Sequence, residues 1–295
     1  MPPSAATLET PIHRFAAGVD EDAVDQLAVE EPLEIRLGFT EDGKPVHRAI
    51  SITMRTPGND GELAAGFLYT EGMVSSPEQV RQIRHCGLSI GRGNGALDRA
   101  AALNSNTIRV DLVDGSSVDL EKLKRHFYTS SSCGVCGKSS IEALRTNAAP
   151  IHSSLVVESS VISSLPARLR QEQDVFALTG GLHASALFTA AGELDIVRED
   201  VGRHNALDKV IGTKFLGGET PLSDRVLLVS GRASFELVQK AIVAGIPVLA
   251  AVGAPSSLAV ELAREFGLTV VGFVRDGRFN IYTGHERILF GKSDN

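Results

Sequence analysis

The sequence predicts an α/β fold, and three observations carry the prediction. From Leu165 onward, short apolar runs alternate with helix-period segments, the pattern of a mostly parallel sheet covered by helices on both faces. Before that point the rhythm is different, with apolar and polar residues alternating along half-buried strands, so a smaller α+β unit precedes the sheet. The chain has 295 residues and is 43% hydrophobic, enough for one large or two modest domains. The expected division is an N-terminal α+β domain over 12–128, a mobile cysteine loop over 129–140 and the α/β domain over 141–290.

In chain order, Met1 to Pro11 reads as a disordered lead-in, with no cationic region followed by an apolar stretch and hence no signal-peptide pattern. Leu33 to Phe39 and Val46 to Met54 read as strands joined at Glu41-Asp42-Gly43. Asn59 and Asp60 offer caps for a helix continuing through Leu63, Ala64, Phe67 and Leu68. Gly91 to Gly95 reads as a loop and Thr107 to Leu112 as a strand. Leu165 to Leu178 reads as one helix, stopped at Thr179-Gly180-Gly181. Strands Ala184 to Phe188 and Leu194 to Val197 flank a hairpin signal at Ala191-Gly192-Glu193. A helix over Asn205 to Phe215 follows. Strands at Arg225 to Val229, Pro247 to Ala251 and Thr269 to Val274 then alternate with helices at Phe235 to Ala244 and Ser257 to Phe266.

Ligands of such sheets bind at the carboxyl ends of the strands. The turns there are Glu199 to His204, Ser230 to Ser234, Gly253 to Ser256 and Val274 to Arg278, and the first, second and fourth contain both glycine and arginine. The formal charge of -7 argues against non-specific binding to nucleic acid or acidic membranes, and no apolar run is long enough to span a bilayer.

The three cysteines are Cys86, Cys133 and Cys136. An odd count with one close pair suits reactive thiols in a reducing compartment better than structural bridges. Cys86 reads as a buried small apolar residue. Cys133-Gly134-Val135-Cys136-Gly137-Lys138 is surrounded by serine and glycine, which leaves the backbone free to swing. Lys138 and any helix starting at Ser139 or Ser140 would favour the thiolate. Exposure, mobility and an activated sulfur suit a persulfide carrier. The spacing alone also permits half a zinc site, completed by Cys86 with His85 or His126, or a dithiol redox pair.

The chain resembles the formate dehydrogenase accessory sulfurtransferases, the FdhD family. The resemblance is carried by Cys133 to Lys138, Thr179-Gly180-Gly181-Leu182-His183-Ala184, and Glu199 to Lys209. It continues in Ser230-Gly231-Arg232, Ala254 to Ser257, Gly272 to Arg275 and Arg278-Phe279-Asn280. It implies a cytoplasmic sulfur carrier that accepts a persulfide from a cysteine desulfurase. The sulfur would pass to the molybdenum cofactor bearing two guanine dinucleotides, for use by the formate dehydrogenase catalytic subunit. It also implies a homodimer. Cys133 is the implied persulfide carrier and Cys136 its helper. Phe273, Val274, Arg275, Asp276, Gly277 and Arg278 are the implied cofactor-binding stretch, and GDP- or GTP-like nucleotides are expected to mimic the cofactor.

Chemistry adds Arg203, Gly231 and Arg232 to that list, because pyrophosphate needs guanidinium forks and close backbone approach. The family also resembles the cytidine deaminase fold, which implies a three-layer domain. In a zinc deaminase the helix after the hairpin supplies a histidine and a glutamate two residues on, and the next turn supplies two cysteines. Here those positions are His204 and Ala206, and Ser230 to Glu236 holds no cysteine, so zinc and deamination are not expected. His204 is expected instead to touch phosphate or base. The competing classes are a non-catalytic chaperone of the cofactor or apoenzyme, and a zinc or redox protein built on the cysteine pair.

Overall fold

The computed structural model describes residues 6–86, 106–116 and 148–291. Its first element corrects an expectation. Thr7–Ala16 (β1) pairs with Val19–Ala28 (β2) as an antiparallel hairpin that takes in the end of the expected lead-in, from Thr7 to Pro11. The turn is Ala17-Gly18, with φ of 52° and 84°, as a two-residue hairpin turn requires. No core-facing alternation marks these strands, because neither face is packed on a core: Phe15 and Val24 are 75% and 61% exposed. Only the base is anchored, where Ala6 and Ala28 meet Val175 and Leu182.

Glu31–Glu41 (β3) and Lys44–Arg55 (β4) form the next hairpin, and Asp60–Thr70 (α1) follows. Val80–His85 (β5) and Thr107–Leu112 (β6) complete a four-stranded sheet of order β4-β3-β6-β5. Alternate residues Leu33, Ile35 and Leu37 point into a core shared with Leu63 and Leu68 of α1 and Ile108 and Val110 of β6. The expected caps of α1 do something else. Asn59 makes no side-chain cap. Asp60 is buried and takes a two-pronged hydrogen bond from fully buried Arg55, both prongs at 3.0 Å. Cys86 is only partly buried, not a core residue.

The second unit begins with Val157–Glu158 (β7) and Ser159–Gln171 (α2). The single helix expected over Leu165 to Leu178 is two helices, because the chain breaks at Glu172-Gln173 before Asp174–Thr179 (α3). The break has a tertiary cause: the Glu199 carboxylate accepts from Val175 N and Phe176 N, both at 2.9 Å, and so caps α3 from a distant strand. After α3 come His183–Phe188 (β8), Leu194–Asp200 (β9), Arg203–Leu216 (α4), Val226–Val229 (β10) and Phe235–Val243 (α5). Val248–Ala251 (β11), Ser257–Phe266 (α6), Thr269–Arg275 (β12), Arg278–Thr283 (β13) and Ile288–Leu289 (β14) complete the described chain.

The sheet runs β13-β12-β11-β10-β8-β9. It is mixed and not mostly parallel by pairing: β10, β11 and β12 pair in parallel, while β13, β8 and β9 join antiparallel. The β12–β13 and β8–β9 hairpins need only short turns, while α4 carries the chain from β9 back to β10. Alternation along β10 divides the interior. Leu227 and Val229 pack with α4, α5 and α6, while Val226 and Leu228 pack with α2, giving three layers.

The two units are joined by α1 and α4. A Cβ on Gly66 would fall on the Asp208 carbonyl and come within 2.8 Å of Gly212 N, so the helices touch backbone to backbone. Lys240 bridges the seam by donating to Thr70 Oγ1 and Asp208 Oδ1, each at 2.9 Å. Phe215 of α4 lies in the core of the first unit. The expected boundary around 128–141 lies outside the described residues.

Candidate functional site

Because β9, β10, β11 and β12 run in one direction, their carboxyl ends share one edge of the sheet. The loops beyond them are stitched together by backbone hydrogen bonds. Gly253 N donates to Gly231 O at 2.9 Å, and Phe273 N donates to Gly253 O at 3.1 Å. A Cβ on Gly253 would lie 3.1 Å from Gly231 O, so the close approach requires glycine there. Three of the four predicted turns lead into helices; the fourth is the β12–β13 hairpin turn, with Asp276 and Gly277 at φ of 51° and 73°.

This edge gathers the candidate arginines. Among the described residues no carboxylate lies within ion-pair distance of Arg203, Arg232, Arg275 or Arg278, whereas Arg36, Arg55, Arg198 and Arg225 are all paired. Arg203 Nε is sealed from solvent and meets no acceptor there. Arg275 and Arg278 stand directly opposite each other across β12 and β13. Like charges in that position destabilise a strand pair, and a bound anion would relieve the cost. Phe273 sits beside them at φ 56°, a costly backbone conformation for a bulky residue, with its side chain 36% exposed. The Val274 side chain points into the core, leaving only its backbone for a ligand.

His204 opens α4 and turns toward α5: Nε2 lies 2.7 Å from Glu236 Oε2 and 3.4 Å from Ser234 Oγ. Its hydrogen bond holds the Glu236 carboxyl below the usual range, against the opposing effect of burial. His183, at the start of β8, faces the same cluster, with Nδ1 3.4 Å from where a Cβ on Gly231 would be. Burial, then the nearby Arg203 and His204, push its imidazole below the ordinary value, favouring the neutral ring. Among the described residues no group of three or more His, Cys, Asp or Glu side chains is placed to hold a metal ion.

The turn carrying Arg203 and His204 is held from beneath by residues to which the sequence reading gives no role of their own, although Asp200, Asn205 and Lys209 lie within the Glu199 to Lys209 motif. Asp200 is fully buried. Its Oδ1 accepts from Gly202 N at 2.8 Å and Asn205 Nδ2 at 2.9 Å, and its Oδ2 meets Lys209 Nζ at 2.7 Å. Lys209 also donates to Thr56 O at 3.0 Å and Glu199 O at 3.3 Å. Asn205 Nδ2 donates to Met54 O at 2.7 Å, so the first unit helps to fix the turn. The available signal was Asp200 at the end of β9 with Asn205 and Lys209 following in α4, since buried polar groups need partners. Cys133, Cys136, Lys138 and His126 lie outside the described residues.

The solved structures include a similar chain: a crystal structure of a candidate formate dehydrogenase accessory protein from Desulfotalea psychrophila. It matches with a TM-score of 0.71 and 25% identity over 96% of this chain and 100% of that one. Two proteins named sulfur carrier protein FdhD are 50% and 51% identical to the chain described here. The first, from Streptomyces avermitilis, aligns over 93% of each chain; the second, from Mycolicibacterium paratuberculosis, over 90% of this chain and 92% of its own. A third, from the archaeon Sulfolobus acidocaldarius, is 42% identical over 94% of this chain and 96% of its own. The family model described as FdhD/NarQ matches residues 28–289, from the foot of the N-terminal hairpin through the arginine-bearing edge to β14, and the chain belongs to that family.

Proposed function

We propose that this protein is a sulfur carrier for formate dehydrogenase maturation, and that its substrate is the molybdenum cofactor with two guanine dinucleotides. The single observation that carries the substrate assignment is the set of arginines without carboxylate partners at the strand-end edge, in a chain of net charge -7. Guanidinium groups at Arg203, Arg232, Arg275 and Arg278 present forked donors to pyrophosphate oxygens, and Gly231 lets the backbone come close. Phe273, Asp276 and Gly277 shape the hairpin that offers two of those arginines, Val274 anchors it, and His204 borders the same space.

In this reading Cys133 attacks the terminal sulfur of a desulfurase persulfide as a thiolate. A new persulfide forms on Cys133 and the desulfurase thiolate leaves. Delivery to the cofactor held at the arginine edge breaks the Cys133 S–S bond: the Cys136 thiolate attacks the inner sulfur, a Cys133–Cys136 disulfide forms, and the outer sulfur leaves at the sulfide level for the cofactor of the formate dehydrogenase catalytic subunit. The names of the relatives and the cysteine motif support this course. The sheet order supports a cytidine deaminase-like frame, with an antiparallel hairpin at the side of a parallel trio. A reducing cytoplasm and a homodimer complete the proposal; no helix among the described residues is long and apolar enough to cross a membrane.

The test is to incubate the protein with a cysteine desulfurase and cysteine, then measure its intact mass. One added sulfur is expected, and it should disappear in Cys133→Ala. If neither Cys133→Ala nor Cys136→Ala changes the mass gain, the carrier assignment fails.

A further inference from the structure

The N-terminal hairpin takes no part in the site described above, yet it rises from beside it. Its foot, Ala6 and Ala28, packs with Val175, Phe176, Leu182 and Val201, and Val201 is the residue just before the Gly202-Arg203 turn. A Cβ on Gly181 would lie 3.6 Å from the Ala28 side chain. From that foot each strand of 10 residues reaches about 33 Å. Between Pro11 and Asp25 only Ile12 and Ala23, which face each other, are even half-buried. A two-stranded ribbon has little stability by itself, so an arm of this length calls for a covering surface.

The surface of the arm says what would cover it. The strand register puts Phe15 and Val24 on one face with Glu9, Asp20 and Asp22, and Leu8, Val19 and Leu27 on the other. Leu8 and Val19 are 52% and 62% exposed, so neither face is spent on the body of the protein. The edges are guarded. Pairs alternate from the two-residue turn, so Pro11 falls at a position whose backbone faces outward, where it has no N–H to offer; β2 is lined with Asp20, Glu21, Asp22 and Asp25. A ribbon apolar on both faces and closed at both edges suits insertion into a groove, not addition as a strand to another sheet. It is also acidic, with Glu9, Asp20, Glu21, Asp22 and Asp25 against Arg14 and His13. Of these carboxylates only Asp22 has a cationic partner among the described residues, His13 at 3.0 Å.

We propose that this hairpin is the arm on which the formate dehydrogenase catalytic subunit docks as it collects the cofactor. The inference rests on the sulfur-delivery reading, but it assigns residues that reading does not use. The cargo carries pyrophosphates, so a subunit that receives it must line its entrance with cations, as the strand-end edge does here. An acidic arm beside that edge complements such an entrance and steers it toward the cargo. A cysteine desulfurase takes up no polyanion and has no such requirement.

The test uses the full chain and a cofactor-free formate dehydrogenase catalytic subunit. Binding is read by biolayer interferometry, and persulfide loading by intact mass after incubation with a desulfurase and cysteine. The triple variant Glu9→Lys, Asp20→Lys, Asp22→Lys should weaken subunit binding by about tenfold or more at low salt, with a deficit that shrinks as salt is raised. Phe15→Ser with Val24→Ser should weaken it by about fivefold or more, whatever the salt. All five positions are exposed, so both variants should fold, and both should load one sulfur as the unaltered chain does. Unchanged subunit binding in both variants overturns the arm. So does a loss of loading with binding kept, which would give the arm to the desulfurase, or a dimer that falls to monomer with binding kept, which would give it to a second copy. If the unaltered chain loads sulfur but does not bind the subunit, the arm assignment falls and the carrier reading stands; if it does not load sulfur, the carrier reading falls.

Discussion

Removing the Lys209 ammonium is the sharpest test of how the site is held in place. Lys209 and Asp200 are both buried, with 2% and 0% of their side-chain surface exposed. Lys209→Met keeps the length of the side chain but removes one ion pair at 2.7 Å and hydrogen bonds to Thr56 O and Glu199 O. Breaking a buried pair from one side costs about 3–5 kcal/mol, since the other charge stays buried. Asp200 is not left bare, however: it still accepts from Thr56 N, Gly202 N and Asn205 Nδ2. Those three donors place the expected loss near the lower end, at about 3 kcal/mol. Asp200→Asn alone turns an amide N–H toward some of the same donors and should also destabilise. The double variant should cost less than the sum of the single ones, by about 1–3 kcal/mol of coupling. Urea unfolding followed by circular dichroism measures all four corners of the cycle. A loss below about 1 kcal/mol for Lys209→Met would be the size of an exposed pair and would refute the burial argument.

The other predictions test the helix seam, the arginine edge and the histidine cluster. Gly212→Ala places a Cβ within 2.7 Å of Gly66 N, where only backbone could yield, so unfolding assays should show a loss of about 3 kcal/mol or more. Gly61→Ala, also in α1 but meeting only Ile83 at 3.6 Å, should instead be stabilising by about 0.5–1 kcal/mol. Arg275→Ala relieves the facing charge of Arg278, so it should lower pyrophosphate affinity in calorimetry without lowering the melting temperature; a fall in both would make Arg275 structural. The His183 imidazole is lowered in the folded state, chiefly by burial, so the unfolded chain takes up this proton first. Stability from this group is therefore complete above imidazole's ordinary value of about 6.5 and is lost as pH falls through the lower folded value. Melting curves should show a smaller loss between pH 7 and 5 in His183→Gln; an unchanged pH profile would contradict the placement.

Much of both units could be read directly from their residues. Ser257–Phe266 and Thr107–Leu112 have the bounds that their apolar periods suggest, and the turn glycines mark where neighbouring strands end. Period and turn chemistry are local, so they survive in the sequence without knowledge of the fold. The arginines and glycines of the strand-end turns were visible for the same reason: in an alternating strand and helix pattern, the turns that face a ligand follow from chain order.

What the tertiary structure decided was which distant groups meet. The break between α2 and α3 depends on Glu199, and the Arg203 turn depends on Asp200, Lys209 and a carbonyl of the first unit. Neither leaves a periodic trace. The antiparallel flanks of the sheet were equally hidden, because a strand has the same side-chain alternation whichever way its neighbour runs. The N-terminal hairpin lacked a buried face and so gave no pattern to find. Sequence by itself determined the class of the fold, the family motifs and the turns that line the strand-end edge. The pairing of His204 with Glu236, the sealed Arg203 and the seating of the hairpin foot against Val201 exist only once the chain has folded, because each is made of side chains that only packing brings together.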